Sequence, residues 1–134
     1  HRSYGEELAL CQRYYQNMNS TFSYSGSNYG ETAYTGWQYD ATNGSIRIRL
    51  PVQMRTNPTL AVVGTVSNSP GTNGTIGAYG NAGWMNITSV TAIESTPLSF
   101  RINVNGLSGS GKDAFGLYFY GSYLTSNVKI DAEL

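Results

Sequence analysis

The sequence has little charge and few chemically reactive side chains, and each shortage argues against a class of function. Charged residues make up 12% of the chain, and eight acidic groups balance eight basic ones. No net field is therefore expected to attract nucleic acid or an anionic membrane. The single cysteine, Cys11, excludes an internal disulfide and a cysteine-based metal cluster. The longest apolar run, residues 60–63, is too short to cross a bilayer, so we expect neither membrane insertion nor a signal peptide.

The shortage of histidine argues against catalysis. His1 is the only one, so a Ser-His-Asp or Cys-His arrangement has no base within the chain. No segment has metal-ligand or phosphate-loop spacing; 109–112 lacks the upstream glycine and the hydroxyl after Lys112. We therefore predict a protein that is not an enzyme and has no cofactor, metal or catalytic residue. One alternative stays open, a polysaccharide depolymerase using paired carboxylates. Its candidates are Glu31, Asp40, Glu94 and Asp113.

Tyrosine, glycine and small polar residues are abundant instead, with 11 Tyr and 16 Gly. Apolar residues alternate with polar ones in residues 45–50, 100–105, 115–120 and 128–131, which is typical of antiparallel strands packed on one core. The pattern predicts an all-β fold, an antiparallel sandwich of jelly-roll type with seven to nine strands. Two further strands are expected at 60–66 and 85–93. The residues expected in the core are Phe100, Ile102, Phe115, Leu117, Phe119 and Ile130.

The first residues follow a different period. Leu8, Cys11 and Met18 recur at helical spacing, and Ser3 with Glu6 forms a capping-box pattern. We predict one helix at about 5–17, lying on the sheet or against a neighbouring chain, with Cys11 packed in the interior.

The rest of the chain is expected to be β-sheet. The sandwich should run from about 20 to 134, which makes 1–134 a single domain. Thr42-Asn43-Gly44 is expected to form a hairpin turn, because Asn-Gly accepts positive φ. Because the chain begins at His1 rather than Met, we expect it to be a piece of a longer protein.

Three segments carry a family resemblance. They are 5–15 (GEELALCQRYY), 50–60 (LPVQMRTNPTL) and 128–134 (VKIDAEL). In order and spacing they resemble the C-terminal domain of tailed-bacteriophage fibre and virion structural proteins, whose second segment reads F-P-V-x-M-R-x-x-P-T in outline. Leu50 replaces the usual aromatic residue and Gln53 the common proline. The resemblance implies a trimeric sandwich at the distal end of a virion fibre, outside the cell, and it implies no catalytic motif.

The aromatic residues suggest a ligand. Flat rings commonly stack on the apolar face of a sugar, while amide side chains bind its hydroxyls. Tyr79, Asn81 and Trp84, with Trp37, are the candidate carbohydrate site. The alternative is that both tryptophans belong to the core or to a subunit interface.

Other tyrosines suggest self-association. We expect Tyr14, Tyr15, Tyr118, Tyr120 and Tyr123 to present aromatic surface that a monomer would rarely expose, and to lie in a homotrimer interface. We therefore expect a trimeric tip domain that attaches the virion to a bacterial surface glycan. The alternative is a ligand-free domain for trimerisation and capping of the fibre.

Overall fold

The computed structural model describes residues 2–18, 33–68, 74–80, 83–108, 114–120 and 126–132. Within them, a single helix is followed by short strands. The elements are α1 (Tyr4–Gln12), β1 (Tyr15–Asn17), β2 (Ala33–Gln38), β3 (Asn43–Arg49), β4 (Thr59–Val63), β5 (Thr65–Val66), β6 (Thr75–Gly80), β7 (Gly83–Met85), β8 (Ser89–Ile93), β9 (Ser99–Asn105), β10 (Ala114–Phe119) and β11 (Asn127–Asp131).

The strands of this described part form two sheets. The smaller has the order β1–β11–β4, and the larger has the order β5–β6–β10–β2–β3–β9–β8, with β7 also paired to β6. The pairs are antiparallel, except that β5 runs parallel to β6. The edge strand β4 of the smaller sheet lies beside the edge strand β8 of the larger. The prediction of an all-β fold with one short helix is confirmed.

The core lies between the two sheets. β9 and β10 bury every second side chain, as alternating strands with one covered face must. Val128 and Ile130 of β11 contribute the opposite layer. All six residues expected in the core are buried, which confirms that prediction.

The helix is shorter than predicted. The capping box is present: Ser3 Oγ accepts from Glu6 N at 3.3 Å, and Glu6 Oε2 accepts from Ser3 N at 3.2 Å. However, α1 ends at Gln12, and residues 15–17 pair with β11 instead. Gln16 is buried there and donates to Val52 O at 2.7 Å, so sheet pairing overrides the helical pattern.

The packing of α1 contradicts two predictions: that the helix lies on the sheet, and that Cys11 packs in the interior. None of its side chains is buried, so α1 does not lie on the sheet. Cys11 is exposed, and the prediction that it packs in the interior is wrong. The pattern of Leu8, Cys11 and Met18 is misleading because Met18 lies beyond the helix, in the core.

The β2–β3 turn lies earlier than Asn43-Gly44. Asp40 Oδ1 accepts from Thr42 N at 2.9 Å and from Asn43 N at 2.8 Å, which closes the turn before β3 begins at Asn43. Gly44 lies in β3 rather than in the turn. A Cβ at this position would overlap the Phe115 ring, which explains why the residue is glycine. The glycine is needed for close packing rather than for a turn conformation.

Two predicted strands are each divided. Residues 60–66 break at Gly64, whose φ of 133° lets the chain leave the smaller sheet at β4 and enter the larger at β5. Residues 85–93 divide into β7 and β8. The segment 50–58, which resembles a fibre-protein strand, connects β3 to β4 without joining either sheet.

Candidate functional site

Four aromatic side chains from β6, β7, β10 and the residue after β10 meet on the outer face of the larger sheet, and we call them the aromatic cluster. They are Tyr79, Trp84, Tyr118 and Tyr120. The Trp84 ring centroid lies 5.0 Å from Tyr79, 5.6 Å from Tyr118 and 6.2 Å from Tyr120. The first two contacts are edge-to-face, the arrangement that aromatic pairs prefer. The cluster therefore holds the Trp84 ring from three sides.

Strand pairing explains why these residues meet. Tyr79 and Trp84 are directly opposite in the β6–β7 pair. On the other side of β6, Tyr79 is opposite Gly116 of β10. A Cβ at Gly116 would lie 3.1 Å from the Tyr118 ring, so the glycine leaves space for that ring to fold back along its strand. Gly116 thus lets the Tyr118 ring approach the β6–β7 pair.

The members of the cluster differ in exposure. Tyr79 and Trp84 are 47% and 37% exposed, whereas Tyr120 is only 6% exposed. Burial raises the pKa of the Tyr120 hydroxyl above its ordinary value, and Tyr118 adds to that rise. Tyr120 is covered by its own chain, and its place in a trimer interface stays a prediction. Tyr118 is half-buried, and its place in an interface stays a prediction.

Trp37 lies on the same outer face but outside the cluster. It is opposite Ala114 of β10 and Ser45 of β3, so both neighbouring strands place small side chains beside it. The ring is 65% exposed as a result. Trp37 is therefore a second aromatic surface, separated from Tyr79 by β10.

A row of polar groups continues from Trp37 across the outer face. Tyr39 Oη donates to Asn103 Oδ1 at 2.8 Å, and Asn103 Nδ2 donates to Asn105 Oδ1 at 2.8 Å. Asn105 Nδ2 donates in turn to Ser89 Oγ at 3.0 Å. These bonds fix amides and a hydroxyl on rigid strands, where remaining lone pairs and N–H groups face solvent. The arrangement suits a ligand with many hydroxyl groups.

Beside that row lies a group of charged residues. Arg47 and Arg101 are directly opposite in the β3–β9 pair. Glu94 Oε2 is 3.5 Å from Arg47 Nη2 and 3.0 Å from Arg101 Nε. The positive charge exceeds the negative charge at this position.

The other residues predicted for sites are distributed elsewhere. Tyr14 and Tyr15 are half-exposed near the end of α1, where the Arg55 guanidinium lies 5.2 Å from the Tyr14 ring centroid. Asn81 and Tyr123 lie outside the described residues.

The structure describes two of the four carboxylates considered for a depolymerase, Asp40 and Glu94. Asp40 closes the β2–β3 turn, and Glu94 follows β8 beside Arg101. Asn43, next to that turn, is opposite Asn105 of β9, whereas Glu94 lies beside Arg101, four residues away on β9. Four residues of a strand span about 13 Å, so the backbone positions of Asp40 and Glu94 are too far apart for a carboxylate pair. Glu31 and Asp113 lie outside the described residues.

Sequence reasoning missed two features of the site. It did not connect Tyr118 and Tyr120 with Trp84, although all three lie on polar-face positions of their strands. It also assigned no role to Asn103 and Asn105, whose alternation with Ile102 and Val104 placed them on one outer face. The alternation was a usable signal, but the strand order that places β6 between β7 and β10 was not visible in it.

Within the described ranges, no group of three or more His, Cys, Asp or Glu side chains could hold a metal ion. The helix that the structure describes is not long and apolar enough to cross a membrane. The chain matches no family model, no curated protein and no solved structure.

Proposed function

We propose that this chain is a carbohydrate-binding domain at the distal end of a bacteriophage fibre, attaching the virion to a bacterial surface glycan. The observation that carries the proposal is the exposure of Trp37, Tyr79 and Trp84 on one face of the larger sheet. Large aromatic rings are normally buried, and rings exposed together on one face of a sheet mark a candidate binding surface.

The rings of the aromatic cluster are also held in place, as a stacking surface requires. Trp84 is fixed by edge contacts to Tyr79 and Tyr118, and all three belong to hydrogen-bonded strands. Side chains already ordered in the free protein lose little conformational entropy when a ligand binds. A sugar ring can therefore stack on them at low entropic cost.

Polar groups beside the rings support a sugar rather than an apolar ligand. Asn103 and Asn105 lie on the same face as Trp37 and are oriented by their mutual hydrogen bond. Ligand sites typically combine apolar surface with a few fixed polar groups that set orientation. Amides next to an indole fit the alternating apolar and hydroxyl surfaces of a pyranose.

The place of this domain in a virion rests on the resemblance of 5–15, 50–60 and 128–134 to fibre proteins. A fibre would present three copies of a weak site to one cell surface. Multivalent contact raises the overall affinity without any new interaction. Such a domain would act outside the cell, as a homotrimer.

The test is binding of the protein to an array of bacterial surface polysaccharides. We expect a saccharide to bind wild-type protein and to lose at least ten-fold in affinity with Trp84→Ala or Trp37→Ala. Tyr4→Ala is the matched control, since Tyr4 is an exposed aromatic residue on α1. Binding that survives the loss of Trp37, Tyr79 and Trp84 together would place the site elsewhere and defeat the proposal.

A second candidate function is trimerisation and capping of the fibre, with no ligand. It is favoured by α1, which has nine residues and no buried side chain. A helix this short is marginal in water without packing partners. A groove of 480 Å³ also opens between Ala9, Leu10 and Val52. A neighbouring copy would supply the missing contacts.

Light scattering tests this second function. We expect a mass three times that of the 14.5 kDa chain, and a smaller mass for Leu8→Glu. Thr91→Glu places the same charge on an exposed strand position and should leave the mass unchanged. A wild-type mass of one chain at micromolar concentration would contradict the trimer, while leaving the saccharide test unaffected.

A further inference from the structure

The arginine pair on the outer face is unfavourable for the isolated chain. Arg47 and Arg101 are directly opposite in neighbouring strands, and like charges in that position repel each other. Arg49 is the next exposed residue of β3 on this face. Among the described residues, Glu94 is the carboxylate that contacts the pair. The stability of the isolated chain therefore does not explain why two arginines are opposite each other.

Glu94 only partly compensates the two guanidinium groups. Its Oε2 is 3.0 Å from Arg101 Nε, yet that buried nitrogen has no hydrogen-bond partner. Glu94 itself has a φ of 54°, a left-handed conformation that is rare for a residue other than glycine. Two guanidinium groups also offer more N–H donors than one carboxylate oxygen can accept. Donors at this position are therefore available to a second anion.

The pair lies next to an exposed aromatic ring. Trp37 of β2 is opposite Ser45 of β3, and Arg47 is two residues beyond Ser45 on the same face of β3. Diagonal neighbours of this kind are about 7–8 Å apart, within reach of long side chains. A sugar ring stacked on Trp37 would thus place a substituent close to the Arg47 guanidinium.

From this geometry we propose that the outer face binds an anionic saccharide, with its sugar ring on Trp37 and its carboxylate or phosphate group between Arg47 and Arg101. The inference rests on the proposed carbohydrate binding and names the class of glycan. Guanidinium groups bind both anions through paired hydrogen bonds, which explains why arginine rather than lysine occupies both positions. Because the net charge of the whole chain is zero, attraction depends on this local patch.

The anion site can be tested without any saccharide. Thermal unfolding is followed in inorganic phosphate and in chloride at the same ionic strength. Phosphate should raise the midpoint for wild type and have a smaller effect on Arg47→Gln and Arg101→Gln. Arg55→Gln is the matched control, because Arg55 lies beside Tyr14 and away from this face. Equal phosphate effects in all four proteins would overturn the site.

The glycan class is tested with oligosaccharides of one length that carry uronate groups, phosphate groups or no charge. We expect one anionic series to bind wild type at least ten-fold more tightly than the neutral series. That preference should fall with added salt and be lost in Arg101→Gln but not in Arg55→Gln. Whether the uronate or the phosphate series binds identifies the source of the anion.

The two proposals fail in distinguishable ways. Equal binding of neutral and anionic series, dependent on Trp37, would overturn the anionic assignment and retain carbohydrate binding. A phosphate effect on unfolding with no saccharide bound would overturn both the proposed function and the anionic-saccharide assignment, leaving an anion site alone.

Discussion

The two faces of the larger sheet are built from the same strands but carry different chemistry. On the inner face, Phe100, Leu117 and Phe119 are almost completely removed from water. On the outer face, the alternate positions carry exposed aromatic rings, amides and arginines. Successive residues of one strand therefore lie in opposite environments, the apolar core and the solvent.

The comparison separates residues that stabilise the fold from residues that are available to a ligand. Inner residues lose contacts and leave cavities when truncated, because no neighbouring group fills the space. Outer residues such as Trp37 retain solvent on one side, so their truncation should cost little stability. Substitutions on the two faces should therefore differ in their cost to stability.

The largest effect is expected from the neighbouring pair Phe119 and Tyr118. Phe119→Ala should reduce the free energy of unfolding by about 3–5 kcal/mol, because it opens a cavity in the core. Tyr118→Ala removes one edge contact with Trp84 and should cost about 1 kcal/mol. Urea unfolding measures both values. Similar costs for the two substitutions would show that the outer face is also covered in solution, as in an oligomer.

Two strand glycines give a second comparison of the faces. Gly44→Ala introduces a methyl group that overlaps the Phe115 ring and approaches Leu107, and should cost about 1–3 kcal/mol. In Gly116→Ala the atoms nearest to the new methyl group belong to the Tyr118 ring, which can shift outward. We therefore expect a cost of no more than about 1 kcal/mol, the value of one aromatic contact. Thermal and urea unfolding test this. A larger cost at Gly116 would indicate that the aromatic cluster is as rigid as the core.

The smallest effect is expected at Asp40, in the exposed turn. Hydrogen bonds from the Asn43 side chain, and then from the Thr42 backbone, hold the pKa of Asp40 below its ordinary value of 3.8. The folded state therefore gains stability above pH 3.8 that is lost as the pH falls through the lower folded pKa. Asp40→Asn should lower the melting temperature slightly at pH 7 and leave it unchanged at pH 2. A difference that persists at pH 2 would assign the effect to the amide itself rather than to the charge.

Much of the fold could be predicted from local patterns. The period-two alternation of residues 100–104 and 115–119 identified both strands and their core residues, since a sheet with one covered face requires it. Ser3 and Glu6 identified the start of α1, because capping involves only groups three residues apart. The end of α1 could not be predicted, since pairing with distant β11 decides it.

The candidate site was predicted only in part. Tyr79, Trp84 and Trp37 were chosen for their ring chemistry, and the hairpin made Tyr79 and Trp84 neighbours. That Trp37 is separated from them by β10, and that Tyr120 is buried against Trp84, depend on the strand order of the larger sheet. Such an order joins residues far apart in the chain, and alternation specifies a face without specifying the neighbouring strand.

Local alternation fixes which residues face inward and which outward, because the pleat of a strand turns successive side chains to opposite faces. Which of the outward residues meet depends on the order of the strands. That order places Arg47 opposite Arg101, Trp37 beside Ser45, and Trp84 against three tyrosines. The physical reason is that backbone hydrogen bonds pair any two strands alike, so the packing of the whole core selects the partners.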